Sequence, residues 1–281
     1  MSRLIKRGQP MSIGHGFTAN HVNSDMFDRQ TGPVIMIDDF KMSAPTFPPH
    51  PHAGISAVTY VLPESTGAHH SYDSMGGDIP IQPGDLHWFG AANGAIHTEE
   101  PDDAEVHALQ LFINLPIKDK RKKPFSKHLY SGDIPEIVTE NSTFRVVIGE
   151  LNGHKSPFEP PIPMELLDCR AKAGNKSSFP TTQGWGGMIY CLKGKIEIII
   201  EDDPSNKYIL EGKDAIGFES EQSFAAIVAA EDSHWVILMG EALHEPYALG
   251  GPIIMESQEA NLERMTAYRQ GQMGSLPPPP Q

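Results

Sequence analysis

The chain is poor in three things, and each shortage closes off a class of function. Positive charge comes first: 22 Lys and Arg stand against 36 Asp and Glu, a formal balance of 22 − 36 = −14 over 281 residues. Nucleic acids and anionic membrane surfaces recruit proteins through basic patches, so no direct contact with nucleic acid or membrane is expected. Long apolar runs are also missing, since none approaches the roughly 20 residues that a membrane-spanning helix needs. The opening Met1-Ser2-Arg3-Leu4-Ile5-Lys6-Arg7 carries charge with no apolar stretch behind it, which does not read as a secretory signal. Cysteine is the third shortage. Cys169 and Cys191 are the only two, each inside an apolar, strand-like run that suits a buried free thiol better than a disulfide. What remains is a soluble, cytoplasmic protein, long enough for one large or two ordinary domains.

What the chain has in quantity is punctuation. Its 26 glycines and 25 prolines are scattered, and they cut the sequence into short apolar runs. Val34–Ile37, Ala57–Leu62, Val106–Ile113, Phe144–Ile148, Met188–Leu192, Lys195–Ile200 and Trp235–Met239 read as strands. Many short strands between turn residues indicate an all-β sandwich or barrel. Two short helices are expected. One covers the charged stretch after Leu115-Pro116; the other starts at Ser257 as N-cap, with Glu259 in its first turn. On the second, Leu262, Met265 and Tyr268 form a face that can pack on a barrel. The tail Pro277–Pro280 reads as polyproline II or disordered.

The chemistry gathers at the two ends of one segment, Pro48–Pro101. One end is Pro48-Pro49-His50-Pro51-His52 and the other is Gly94-Ala95-Ile96-His97-Thr98-Glu99. Residues two apart on a strand share a face, so His50 pairs with His52 and His97 with Glu99. Facing each other across a barrel, these strands converge three imidazoles and a carboxylate, a ligand set that leaves positions open on a divalent transition metal. A plainer reading stands beside it: strand histidines often only bond a backbone carbonyl, and neither pair is specific alone. Their joint occurrence around one strand-turn-strand segment favours metal.

An internal repeat divides the chain. Val58–Leu62 resembles Met188–Leu192, Ile81–Asp85 resembles Leu210–Asp214, and Glu105–Leu109 resembles Asp232–Val236, three matches in the same order. Two similar barrels follow, with residues 1–125 as an N-terminal barrel and residues 126–281 as a C-terminal barrel with the helix and the Pro-rich tail. The second barrel has Pro180, Thr182, Ala226 and Val228 where the first has its four ligands, so it carries no second site of this kind.

These residues resemble the pirin family of the cupin superfamily over nearly the whole chain. The likeness rests on Phe47–Gly54, Val58–Leu62, Asp73–Gly76, Pro83–Trp88 and Gly94–Glu99, and later on Leu115-Pro116, Asp133–Pro135, Gly240–Pro246 and Gly251-Pro252. It implies an all-β bicupin of two antiparallel jelly rolls, with one metal in the N-terminal barrel held by His50, His52, His97 and Glu99. That metal is usually iron in the family, and Fe(II) is the first choice here, with Mn, Ni, Co, Cu and Zn as alternatives. Some relatives resemble quercetin 2,3-dioxygenases, and others are non-enzymatic, iron-dependent regulators that bind a partner protein. The pattern departs from the family at Ala53 (commonly Arg), Ser56 (commonly Glu), His87 (usually Gln) and Gly90-Ala91-Ala92 (typically Thr-Ala-Gly). All four ligand positions are kept, while the neighbourhood that would choose a substrate has changed.

Two functions are therefore carried forward. In the first, a small aromatic substrate with an ortho-hydroxy-carbonyl group binds beside the metal with dioxygen, and Glu99 is the catalytic base that takes the hydroxyl proton. In the second, the metal shapes a docking surface for a protein partner. A pocket beside the metal favours the enzyme, and an exposed apolar patch favours the binder. His87 and Trp88 are candidates for contact with a ligand residue or the substrate, against a structural histidine and a core tryptophan. His69 and His70 sit in a turn-rich segment and read as solvent-facing. His107 and His234 occupy repeat-equivalent places and read as packing residues. The run Lys118–Lys123 reads as a solvated helix or linker.

Overall fold

The computed structural model describes residues 5–102, 104–200, 203–219 and 224–276, so the Pro277–Pro280 tail lies outside the described residues. Among these, the chain is mostly strand with a single α-helix, Gln258–Arg269. It forms a bicupin: two compact units, each with a seven-stranded and a four-stranded sheet of jelly-roll type. All seven apolar runs named above fall on strands, and both cysteines are buried and free.

The sheets of the two units follow the same order, which is the structural form of the sequence repeat. In the unit bearing the histidine motifs, the large sheet runs Phe125–Leu129, Leu86–Gly90, Ile55–Val61, Val106–Asn114, Val34–Met42, Phe17–Asn23, Gln9–Ile13. In the other it runs Ile5–Arg7, Asp214–Glu219, Trp185–Lys193, Ser233–Glu241, Met164–Ala171, Ser142–Ile148, Glu136–Val138. The small sheets are Phe47–His52, Ala95–Pro101, His69–Asp73, Asp78–Ile81 and Lys176–Ser177, Phe224–Ala229, Lys195–Ile200, Asp203–Glu211.

The units are not two contiguous halves, so a single cut after residue 125 does not divide them. The motif-bearing unit comprises Pro10–Ala19, Met36–Ser131 and the chain from Leu243 onward; the other takes the residues before Pro10, Asn20–Ile35 and Gly132–Ala242. The cause is strand pairing. Ile5–Arg7 pairs antiparallel with Asp214–Glu219 and completes the edge of that sheet. At the other terminus, Ala260, Ala267 and Met273 pack with Ala53, Ile96, Ile253 and Met255.

The helix begins as expected, with Ser257 accepting from the Ala260 amide at 3.2 Å. Its docking face differs from the expected one. Leu262 is 69% exposed, whereas Ala260 and Ala267 are buried and Met265 and Tyr268 flank them half-buried. Small residues let the helix backbone approach closely, and a leucine at that distance has no room. The expected helix after Leu115-Pro116 is also absent: residues 117–121 form turns. The Pro116 carbonyl accepts from the amides of Asp119 and Lys120, one turn that is not continued, because Lys120 is drawn inside the protein. The run is thus not a solvated helix.

One buried acid gives a stability prediction. Glu165 on Met164–Ala171 is half-buried; burial, and then the nearby Glu150, push its carboxyl up to about 7. The folded state therefore holds a proton between about pH 4.5 and 7 that the unfolded state has released, so stability falls as pH rises through that window. Glu165→Gln should raise Tm at pH 8 by ~2–4 °C, the effect of about 1 kcal/mol on a domain of this size. At pH 4 no gain is expected, and calorimetry at the two pH values checks the sign.

Candidate metal centre

Strand register builds the centre. Phe47–His52 and Ala95–Pro101 pair antiparallel with His97 opposite His50 and Ala95 opposite His52, so all three imidazoles project from one face. Pro48 and Pro49 have no N–H to give to a ladder. The pairing accordingly slips between His97 and Glu99, and Glu99 comes to lie opposite Phe47. Along the other edge, Ala95–Pro101 pairs regularly with His69–Asp73, which keeps Glu99 on the inner face.

One nitrogen from each of His50, His52 and His97 lies within 4.8 Å of the others, a spacing that a single metal ion fits. The outer nitrogens set the tautomers. His50 Nδ1 lies 3.0 Å from the Pro48 carbonyl and His52 Nδ1 3.0 Å from the Pro252 carbonyl. Carbonyls only accept, so both Nδ1 atoms carry the proton and both Nε2 lone pairs point inward. His97 Nε2 faces His50 Nε2 at 3.1 Å, while its Nδ1 has Glu99 Oε1 at 4.0 Å. Converging lone pairs in a buried site suit a shared cation, so the donor set fits the implied metal. Phe89 stacks on the His97 ring at 4.5 Å between centroids and 5° between planes, fixing its tilt.

Glu99 stands beside this cluster rather than within the group of three. Its Oε1 accepts from Thr59 Oγ1 at 2.9 Å and lies 3.5 Å from His69 Nε2. Burial opposes its ionisation, but the neighbouring His97 ring, and after it His69, hold the carboxyl well below the usual range. The His52 and His97 imidazoles are held neutral. Burial, reinforced by His50, pulls His52 down to about 3, and burial pulls His97 well below its ordinary value despite Glu99. Neutral rings are what a metal requires.

A pocket opens onto the histidines. Phe17, Phe40, Phe47 and Phe112 with Met36 and Met42 form its apolar walls, and Asp38 and Gln110 are the polar residues facing it beside the ligand candidates. None of these eight stood out in the sequence, because a pocket wall on alternating strand positions reads like any core.

Other candidates fall elsewhere. His87 is 1% exposed, bonds Ser126 Oγ at 2.8 Å, and is pulled down to about 4 by burial. Trp88 is fully buried and does not line the pocket. His69 is not solvent-facing: it lies on a strand, fully buried, because its inward position brings it to Glu99. His70 is half-buried and stacks on Tyr72. His107 and His234 are not plain packing residues; each binds a carboxylate, Asp39 at 2.7 Å and Asp168 at 2.6 Å.

Comparison with known proteins places this architecture. The Pirin family model matches residues 5–113, and the Pirin C-terminal cupin domain model matches residues 166–274. The chain belongs to the pirin family. It is 32% identical over 249 residues to Pirin of Mus musculus, covering 86% of this chain and 83% of the mouse protein. It is 29% identical over 259 residues to Pirin-1 of Arabidopsis thaliana, covering 92% and 87%. Among solved structures it resembles quercetin 2,3-dioxygenase from Acinetobacter baumannii, with a TM-score of 0.84, 25% identity and 96% of each chain covered. It shares its fold with the bacterial pirin YhhW of Escherichia coli, solved with nickel(II), at a TM-score of 0.63 and 18% identity over 85% of this chain and 99% of that one.

Within the pirin pattern, the departures have definite places. Ala53 is buried against the C-terminal segment, where its carbonyl accepts from the Ile254 amide at 2.9 Å. Ser56 is fully buried on Ile55–Val61.

Two outcomes follow from this geometry. His97→Ala should strip most of the metal, measured as metal content per chain after dialysis. Lowering the pH through the free imidazole pKa of about 6.5 should leave the metal bound, with release only as the pH approaches about 3, where the buried His52 ring takes a proton. Metal lost in full near pH 6 would mean that these buried imidazoles are not the main ligands.

Proposed function

We propose that this pirin-family chain is a mononuclear non-haem metal dioxygenase acting on flavonol-type aromatic substrates. His50, His52 and His97 hold Fe(II), and Glu99 serves as a further ligand and as the base. The observation that carries the reading is the pocket: four phenylalanines and two methionines line a largely apolar space together with the three histidines, surroundings that suit an aromatic molecule. The likeness to quercetin 2,3-dioxygenase of Acinetobacter baumannii supports the same class.

A divalent metal bound at the three histidines supplies Lewis acidity, which lowers the pKa of a coordinated hydroxyl. The remaining work falls to side chains of this chain. The phenylalanines orient the ring plane and exclude water. Glu99, ionised and anchored by Thr59 on one oxygen, takes the hydroxyl proton of the substrate. The anion so formed is electron-rich enough to react with dioxygen, both of whose oxygen atoms enter the ring-opened product as one carbon of the heterocycle leaves as carbon monoxide.

Glu99→Gln keeps the shape of the side chain and removes the charge and the basic site. It should retain a measurable share of the metal and lose about 10²- to 10⁴-fold in turnover. Metal content and flavonol-dependent oxygen uptake on wild type and variant decide this. Undiminished uptake removes Glu99 from the mechanism. Absence of uptake in wild type loaded in turn with iron, manganese, nickel, cobalt or copper would replace the enzyme by the metal-dependent partner-binding protein.

A further inference from the structure

One buried charge is not used by the chemistry above. Lys120 is 0% exposed, and its ammonium donates to the Gly54 carbonyl at 2.7 Å, Asn114 Oδ1 at 2.6 Å and the Ile254 carbonyl at 2.9 Å. Three donors meet three acceptors, and none of the three is a carboxylate. A cation in the interior whose hydrogen-bond acceptors are all neutral, with Glu256 and Glu245 acting on it only through their charge, is a costly way to fasten a loop. What it fastens is specific. Gly54 lies two residues after the ligand candidate His52. Ile254 lies two residues after Pro252, whose carbonyl holds His52 Nδ1.

The two segments are in close register around this contact. The Ile254 amide donates to the Ala53 carbonyl at 2.9 Å, and the Gly54 amide donates to Ala92 at 2.7 Å. Gly54 has φ +79°, and a Cβ there would fall 2.1 Å from the Ile254 oxygen, so no side chain fits between turn and strap. The strap is held from behind by Asn261, which accepts from the Met255 amide at 2.7 Å and donates to the Ala248 carbonyl at 2.8 Å. Met273 packs over Gly94, just before the strand that carries His97.

We propose that Lys120 is a positioning residue for the metal: by clamping the strap Pro252–Met255 to the turn after His52, it holds the Pro252 carbonyl on the His52 ring and so sets metal affinity through a segment 200 residues away in sequence. The inference rests on the metal-centre reading of the three histidines. Partners that fix a ligand histidine through its outer nitrogen typically change metal affinity by about 10- to 100-fold.

The test uses the full-length, metal-free chain and cobalt(II) as probe, read by its visible absorption. Lys120→Met and Gly54→Ala, neither of which removes a ligand, should each weaken cobalt binding by about 10- to 100-fold. A purely structural role would lower Tm of the metal-free protein and leave the cobalt affinity of the folded fraction unchanged. Coupling is reciprocal, so cobalt should in turn slow hydrogen exchange at the Ile254 and Met255 amides of wild type, a measurement that needs no variant to fold. Affinity within about twofold of wild type in a folded variant, or exchange at those amides unmoved by cobalt, overturns the proposal. Wild type that binds no cobalt overturns the metal reading itself, which the first titration distinguishes.

Discussion

Two imidazole nitrogens facing each other at 3.1 Å across a strand pair are the constraint around which the motif-bearing unit is built. His50 has committed its Nδ1 proton to the Pro48 carbonyl, so its inner nitrogen is a lone pair. His52 has done the same with Pro252. His97 Nε2 faces the His50 lone pair at 3.1 Å, where it either donates a proton to it or adds a further lone pair toward a shared cation. A cation bound to the converging nitrogens would stabilise the fold by mass action.

Holding these rings in place takes rigid neighbours, and each has a physical origin in the chain. Pro48 and Pro49 cannot join the ladder, which produces the slip that keeps Glu99 on the inner face one step along from His97. Phe89 stacks flat on His97, so rotation of the ring would open a void. The strap at Pro252–Met255 arrives from the far end of the sequence and completes the histidine's surroundings, with Lys120 buried at the junction. The apolar helix face behind it is made of alanines rather than leucine, because the backbone has to come close enough for the strap to reach His52.

The fold and the convergence of His50, His52 and His97 were legible from local pattern. Short apolar runs between glycines and prolines gave the strands, and period-two spacing put His50 with His52 and His97 with Glu99 on one face. The rest was hidden for particular reasons. Lys120 sits in a run of charges that looks solvated, and only tertiary structure shows three acceptors waiting for it. His69 lies between turn signals, and nothing in His69–Asp73 alternates in hydrophobicity, so its strand and its approach to Glu99 were invisible. Leu262 fitted a helical period, but which face docks depends on the partner surface. The placement of the two terminal segments rests on long-range contacts, strand pairing for Ile5–Arg7 and side-chain packing for the helix, which leave no mark in a local window.

The repeat separates what serves the fold from what serves the site. Both units keep a histidine bonded to a carboxylate at matching strands, His107 with Asp39 and His234 with Asp168, although among the described residues only one unit has the three-histidine cluster. A feature kept in both barrels is accounted for by the barrel. The row behind Glu99 behaves oppositely. In the motif-bearing unit Thr59 lies between Gln110 and His87 on adjacent strands, and its hydroxyl bonds Glu99. In the other unit the matching row is Ile189 between Ile237 and Ile216, all three buried. The same sheet therefore folds with a wholly apolar row, which makes the polar one unnecessary for the barrel and costly unless it is paired. Its central member, Thr59, pairs with Glu99 and Gln110, while His87 pairs with Ser126. The polar row and the ligand set stand or fall together, and the isoleucine row shows what this position becomes when no site is present.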